Sequence, residues 1–169
     1  MKIAIIGTGN LGSSIAKGLI NNKTFTSLYL SDKNTSAVNV FENEDYVTIT
    51  SDNLLAVQES DVVIFALQPR HIENVLAGVS SVITEDHVIM SVAAGFEISK
   101  IEKIIGSDKN IVRVMPNTAI SIGKSMTCIA ANDKGQSKVE LAQKIFNQLG
   151  TTMVIPEEQI QAATVICAS

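Results

Sequence analysis

Residues 7–12 read Gly7-Thr8-Gly9-Asn10-Leu11-Gly12, and glycines at this spacing suit one task, bringing backbone against a pyrophosphate. Gly7 permits a tight turn, Gly9 lets a phosphate approach, and Gly12 allows a helix to pack closely on a strand. The first turn of such a helix offers N–H groups without internal partners and the positive end of its dipole. Alone the pattern is weak, since a glycine-rich turn would also produce it. Its context is what a dinucleotide fingerprint demands. The apolar run Ile3 to Ile6 precedes it, and Leu11, Ile15, Leu19 and Ile20 follow at helical spacing.

About 20 residues further on, a group that reads the adenosine ribose is expected at the end of a second strand. Ser31-Asp32-Lys33-Asn34 stands there. Asp32 could accept from the ribose hydroxyls of NAD and would repel a 2′-phosphate, whereas Ser31, Lys33 and Asn34 could hold the phosphate of NADP. Ser, Asp and Asn are also N-cap residues, so one of them could simply cap a following helix. The choice between NAD and NADP stays open on these residues.

Three further segments end strands where a parallel sheet binds ligands, at its carboxyl edge. Ala66-Leu67-Gln68-Pro69 is one. Ala93-Ala94-Gly95 leaves room for a ring against backbone, and Met115-Pro116-Asn117-Thr118 brings an amide and a hydroxyl to a polar substrate. Each taken singly is an ordinary strand-to-helix turn. Three along one edge make coincidence less plausible.

Other chemistry is missing. The sequence shows no Ser-His-Asp or Cys-His arrangement, no paired carboxylates in a small-residue loop and no metal-ligand spacing. His71 just inside a helix and His87 just before a strand read as surface or capping residues, and Cys128 and Cys167 as small buried apolar groups. A dinucleotide site without its own acid or base suggests a reaction in which the cofactor performs the chemistry. Hydride addition to an already protonated C=N bond fits that description.

The elements that must position these residues follow from the hydrophobic pattern. Strand-length apolar runs alternate with amphipathic stretches, which predicts an α/β Rossmann-type fold, a doubly wound and mostly parallel sheet with helices on both faces. Strands are expected at 3–6, 28–30, 46–49, 62–67, 87–92, 110–115, 126–131 and 152–155. Helices are expected from Leu11, from Pro69, over 97–105, through Val139 to Leu149 with Gly150 as C-cap, and from Pro156 onward. At 169 residues the chain has the length of one domain, placed at 1–155, with 156–169 starting a connecting helix. Its 46% hydrophobic content excludes disorder. The net charge of −4, from 13 Lys and Arg against 17 Asp and Glu, argues against a nucleic-acid partner. The apolar runs are strand-length, so no membrane span is expected, and two isolated cysteines form no disulfide framework. A cytoplasmic protein is the resulting expectation.

On these motifs the chain resembles the pyrroline-5-carboxylate reductase family. The resemblance runs in order through Ile5 to Gly12, Asp61-Val62-Val63 leading to Gln68-Pro69, Ser91 to Gly95, and Val112 to Thr118. It implies reduction of a cyclic imino acid, L-1-pyrroline-5-carboxylate, to L-proline by NADPH or NADH. It places the pyrophosphate and ribose at residues 8–11 and 31–34, a cofactor contact at Asn53, and the nicotinamide and substrate ring between Ala93–Gly95 and Pro116–Thr118. The chain departs from the family in three places, with Gln68 for a usual Lys, Ala119 for a usual Pro and Ser125 for a frequent Gly. Losing that lysine removes a positive charge near the phosphates or the substrate carboxylate.

The apolar helix from Gln159 stops at Ser169 without cap or charged tail, which predicts that the chain has been cut from a longer protein. The resemblance then implies an absent C-terminal helical domain through which the full protein forms a homodimer or higher oligomer. The fragment alone would hold cofactor and turn over poorly. The rival readings are a deazaflavin-linked NADP reductase, a β-hydroxyacid dehydrogenase and a non-catalytic nucleotide-sensing module.

Overall fold

Continuous apolar runs become the inner strands of one eight-stranded sheet. In the computed structural model these are β1 (Lys2–Ile6), β2 (Ser27–Ser31), β3 (Val47–Thr50), β4 (Val62–Phe65), β5 (Val88–Ser91), β6 (Asn110–Met115), β7 (Ser125–Ala131) and β8 (Gly150–Val154). Residues 1–23 and 25–167 are described, with side chains through 163. The expectations for the side chains of Val165, Ile166 and Cys167, and for Ala168 and Ser169, lie outside them. The spatial order is β3-β2-β1-β4-β5-β6-β7-β8. Every neighbouring pair is parallel except β6 and β7. The chain therefore winds outward from β1 in one direction and from β4 in the other. Between them lies the switch point where such sheets open a crevice.

Alternation of side chains along each strand feeds two cores. On one face Ile3, Ile5, Leu28, Ile64, Met90 and Val112 pack with Ile15 and Leu19 of α1 (Asn10–Asn22) and Ile145 and Phe146 of α5 (Val139–Phe146). On the other, Ala4, Ile6, Val63, Phe65 and Ile89 meet α2 (Asn53–Gln58), α3 (Pro69–Val79) and α4 (Ile98–Ile105) through Val57, Ile72, Leu76 and Ile101. The predicted doubly wound fold is thus the observed one. A last helix, α6 (Glu157–Cys167), lies against β7, where Ile160 is buried with Cys128 and Ala130.

Four local expectations are corrected. Gly150 caps not α5 itself but the 3-10 turn Asn147–Leu149 that extends it beyond Phe146, and it also starts β8, at φ 145°. A Cβ at Gly150 would collide with the backbone of Ser125, its partner across β7–β8, so strand pairing demands the glycine. The strand predicted over 62–67 ends at Phe65, although Ala66 N still donates to Ile6 O as the chain leaves the sheet. His87 is no surface residue. It is buried, its Nδ1 lies 3.0 Å from Thr84 N and its Nε2 3.1 Å from Val57 O, so the ring bridges the β5 entry to the end of α2. Finally, no helix starts directly after Ser31–Asn34 for those residues to cap, and the 3-10 turn Asn39–Phe41 has Val38 at its N-cap. The next α-helix is α2, capped by Asp52, whose Oδ1 accepts from Leu55 N. Among the described residues no helix is long and apolar enough to cross a membrane.

Candidate functional site

The glycine loop is clamped from both sides at the carboxyl end of β1. Gly7 sits at φ 96°, donates its N–H to Ser31 O at 2.8 Å, and would bring a Cβ to 2.5 Å from Ala66 O. No other residue fits that turn. Thr8 N donates to Asp32 Oδ2 at 2.6 Å, so the β2 carboxylate holds the loop. A Cβ on Gly12 would overlap the Gly7 carbonyl oxygen, which explains why α1 can start so close beneath β1.

Gly9 is different. Its φ of −64° suits any residue, and a Cβ there would meet no protein atom within 4 Å. Neither conformation nor packing asks for glycine, which leaves the approach of a ligand. Gly9 is also the N-cap of α1, supplies no side-chain acceptor, and is followed by a first turn without acidic residues. The first-turn N–H groups and the dipole end are therefore uncompensated, the arrangement that receives an anion. These features fit the pyrophosphate of a dinucleotide.

Around this cradle a cleft of about 410 Å³ brings together Gly7, Gly9, Ser31, Asp32, Lys33, Asn53, Ala66, Leu67 and Gln68. Ser31 is fully buried and its hydroxyl donates to Asn53 Oδ1 at 2.7 Å, fixing the amide at the start of α2. Asp32 Oδ1 accepts from Asn34 N at 3.0 Å, so both carboxylate oxygens hold backbone. The opposite wall comes from α3, whose Arg70, His71, Asn74 and Val75 line the same cleft. Sequence reasoning missed them as binding residues. The available signal was Pro69 at the first helical position, which points the next polar residues of α3 at the sheet edge where β4 ends.

The remaining site residues divide. Asn10 and Leu11 share a cavity of about 360 Å³ with Pro116, Asn117 and Thr118, whereas the resemblance puts the nicotinamide between Pro116–Thr118 and Ala93–Gly95. Met115, Ala94 and Gly95 instead line a third cavity of about 550 Å³ with Glu97, Arg113 and Glu157. Thr8, Gly12 and Ala93 are buried beneath the edge, and Pro69 is the exposed first residue of α3. Asn117 Oδ1 accepts from Ala119 N at 3.2 Å, capping the 3-10 turn Thr118–Ile122, so that oxygen serves the fold. Ser125, at the position of a frequent family glycine, accepts from Asn117 N at 3.1 Å and lies 2.9 Å from Thr127 Oγ1. That departure therefore adds a tie to the turn carrying Asn117 and Thr118.

None of the residues lining the second cavity is an acid, a base or a nucleophilic thiol. A ligand there would be oriented, with any proton or hydride brought by the reactants. In the third cavity Arg113 and Glu157 pair at 3.0 Å, and Glu157 Oε1 also accepts from Ile98 N at 2.8 Å, joining β6, α4 and α6 at one carboxylate. Among the described residues no cluster of three His, Cys, Asp or Glu side chains could hold a metal ion.

A family model described as NADP oxidoreductase coenzyme F420-dependent matches residues 2–95. A pyrroline-5-carboxylate reductase of Dictyostelium discoideum is 38% identical over 98% of the chain and 32% of its own length. One from Methanosarcina acetivorans is 30% identical over 99% of the chain and 63% of its own. Among solved structures, a pyrroline-5-carboxylate reductase of Coxiella burnetii superposes with a TM-score of 0.92 at 29% identity, covering 99% of the chain and 63% of that protein. The chain thus spans about a third of the first relative and under two thirds of the others.

Proposed function

Because the chain belongs to the family described as NADP oxidoreductase coenzyme F420-dependent, we propose that it holds NADPH or NADH for the reduction of L-1-pyrroline-5-carboxylate to L-proline. The observation that carries the cofactor half is Gly9, glycine for no reason internal to the protein, at the mouth of a helix with an uncompensated N-terminus. The substrate half is supported by relatives that match beyond residue 95, through the segments 115–118 and 157–163.

When bound, the reduced nicotinamide supplies a hydride. The chain's own residues bind and orient. Gly9 and the first-turn N–H groups of α1 receive the pyrophosphate, Asp32 and Asn53 face the adenosine ribose, and Asn10, Leu11 and Pro116 to Thr118 enclose the reacting rings. No side chain there needs to move a proton, because the ring nitrogen of the imine arrives protonated and leaves as the secondary amine of proline. The part of the relatives' length beyond this chain is where subunit assembly is expected to lie.

A single-turnover assay tests the reading. With protein in excess over NADPH, adding pyrroline-5-carboxylate should oxidise the nicotinamide and release one proline per dinucleotide. NADPH oxidation by a deazaflavin but not by the imine would replace this substrate with the family's other chemistry. Failure to bind either dinucleotide would remove the cofactor assignment as well.

A further inference from the structure

We propose that Arg70, with Lys33 across the cleft, seats the 2′-phosphate of NADPH and sets a preference for NADPH over NADH. The inference rests on the reading that the cleft holds a nicotinamide dinucleotide, and it names the residues that choose between the two forms.

The cleft beside the ribose-reading strand end carries two cations and one anion. Lys33 follows the end of β2, Arg70 stands in the first turn of α3, and Asp32 lines the same cleft. Neither cation is paired with a carboxylate. The ion pairs among the described residues are Lys2 with Glu59, Lys109 with Asp108 and Arg113 with Glu157. Asp32, by contrast, is engaged on both oxygens, by Thr8 N and Asn34 N. Its two oxygens are already held by backbone donors, while the side chains of Lys33 and Arg70 are exposed.

Arg70 is also oriented. Its Nε donates to His71 Nε2 at 3.1 Å, which turns the guanidinium and leaves its two terminal nitrogens for another acceptor. A forked pair of N–H donors matches two oxygens of a phosphate, and charge-assisted bonds of this kind are roughly twice as strong as neutral ones. The ribose hydroxyls of NADH give such a fork nothing to neutralise. Asp32 opposes a 2′-phosphate with one charge, and two unpaired cations outweigh it.

Binding titrations read by reduced-nicotinamide fluorescence test this without relying on turnover. The wild-type chain should bind NADPH more tightly than NADH. Arg70→Gln should weaken NADPH by about tenfold or more, the loss of a charge-assisted bond, and NADH by no more than about twofold. Arg70→Lys should recover part of the difference. Adenosine 2′,5′-bisphosphate should compete better than AMP for the wild type and no better for Arg70→Gln. Equal weakening of NADH and NADPH would move Arg70 to the pyrophosphate and overturn the inference while leaving the cofactor reading intact. Wild-type protein that binds neither dinucleotide would instead sink the reading beneath it. Arg70 is exposed, so unchanged thermal midpoints should show that the variants fold.

Discussion

Gly9 and Gly12 look alike in the fingerprint and do opposite things. Gly12 is required by the protein, since its Cβ would strike the Gly7 carbonyl, whereas Gly9 is required by nothing the protein contains. Gly12→Ala should therefore destabilise the fold by about 3 kcal/mol through overpacking against backbone that cannot yield. Gly9→Ala should leave the thermal midpoint within the error of measurement and lower dinucleotide affinity by an order of magnitude or more, because the methyl group occupies the space of a phosphate. Thermal melts and NADPH titrations on the two variants separate the roles; a Gly9→Ala protein that binds as the wild type does would end the pyrophosphate assignment. Gly7 and Gly12 were legible in the sequence because turn geometry and close packing act within six residues, and Gly9 through its spacing between them. Asp32 was legible as a candidate, but not its bond to Thr8 N, which spans 24 residues. Arg70 was legible only as a polar residue following the helix-opening Pro69. Its membership of the site depends on how α3 faces β2, and no local pattern encodes that.

At the scale of elements, β1, β4 and β5 could be read directly because strands covered on both faces are almost wholly apolar. Direction was less visible. The antiparallel return of β7 follows from a short 3-10 connection, Thr118–Ile122, closed by Gly123 at φ 69°, where the other pairings use longer crossovers. Apolar content records burial and not the partner that buries it. The same limit hid Glu157, whose place beside Pro156 says only that it lies where a helix is expected to start. In the structure it receives both Arg113 and the first N–H of α4, so one carboxylate fastens α6 to two elements. Arg113 is nearly buried and its Nε has no partner, so removing Glu157 strands a charge. Glu157→Ala should cost about 3 kcal/mol in denaturant unfolding. The double variant Arg113→Met with Glu157→Leu should recover most of that loss, since two packed apolar groups replace a pair whose desolvation was costly. A double variant no more stable than Glu157→Ala would show that the Ile98 contact, and not the ion pair, carries the tie.

For the molecule as a whole, one sheet runs without interruption from β3 to β8, with a core on each face that draws on strands from both halves. Val112 and Val114 of β6 share a cluster with Leu28 of β2 and with Phe146, so β7 and β8 cannot detach without exposing groups that also support the glycine loop. Unfolding should therefore be a single cooperative transition, with far-ultraviolet and near-ultraviolet signals falling together. The proposed ligand reaches across that unit, from Lys33 at the end of β2 to Thr118 beyond β6, and binds only where both ends are in place. At a concentration of NADPH one hundred times its dissociation constant, linkage adds about 2.7 kcal/mol to the folded state. For a chain of this size that shifts the thermal midpoint upward by about 5–10 °C. NADPH should move both spectroscopic transitions together by this amount, because binding energy gained at the edge is shared through one core. If the far-ultraviolet signal alone responds, or the two midpoints separate as ligand is added, the sheet is two units, and the cavity holding Pro116 to Thr118 does not belong to the unit that binds the dinucleotide.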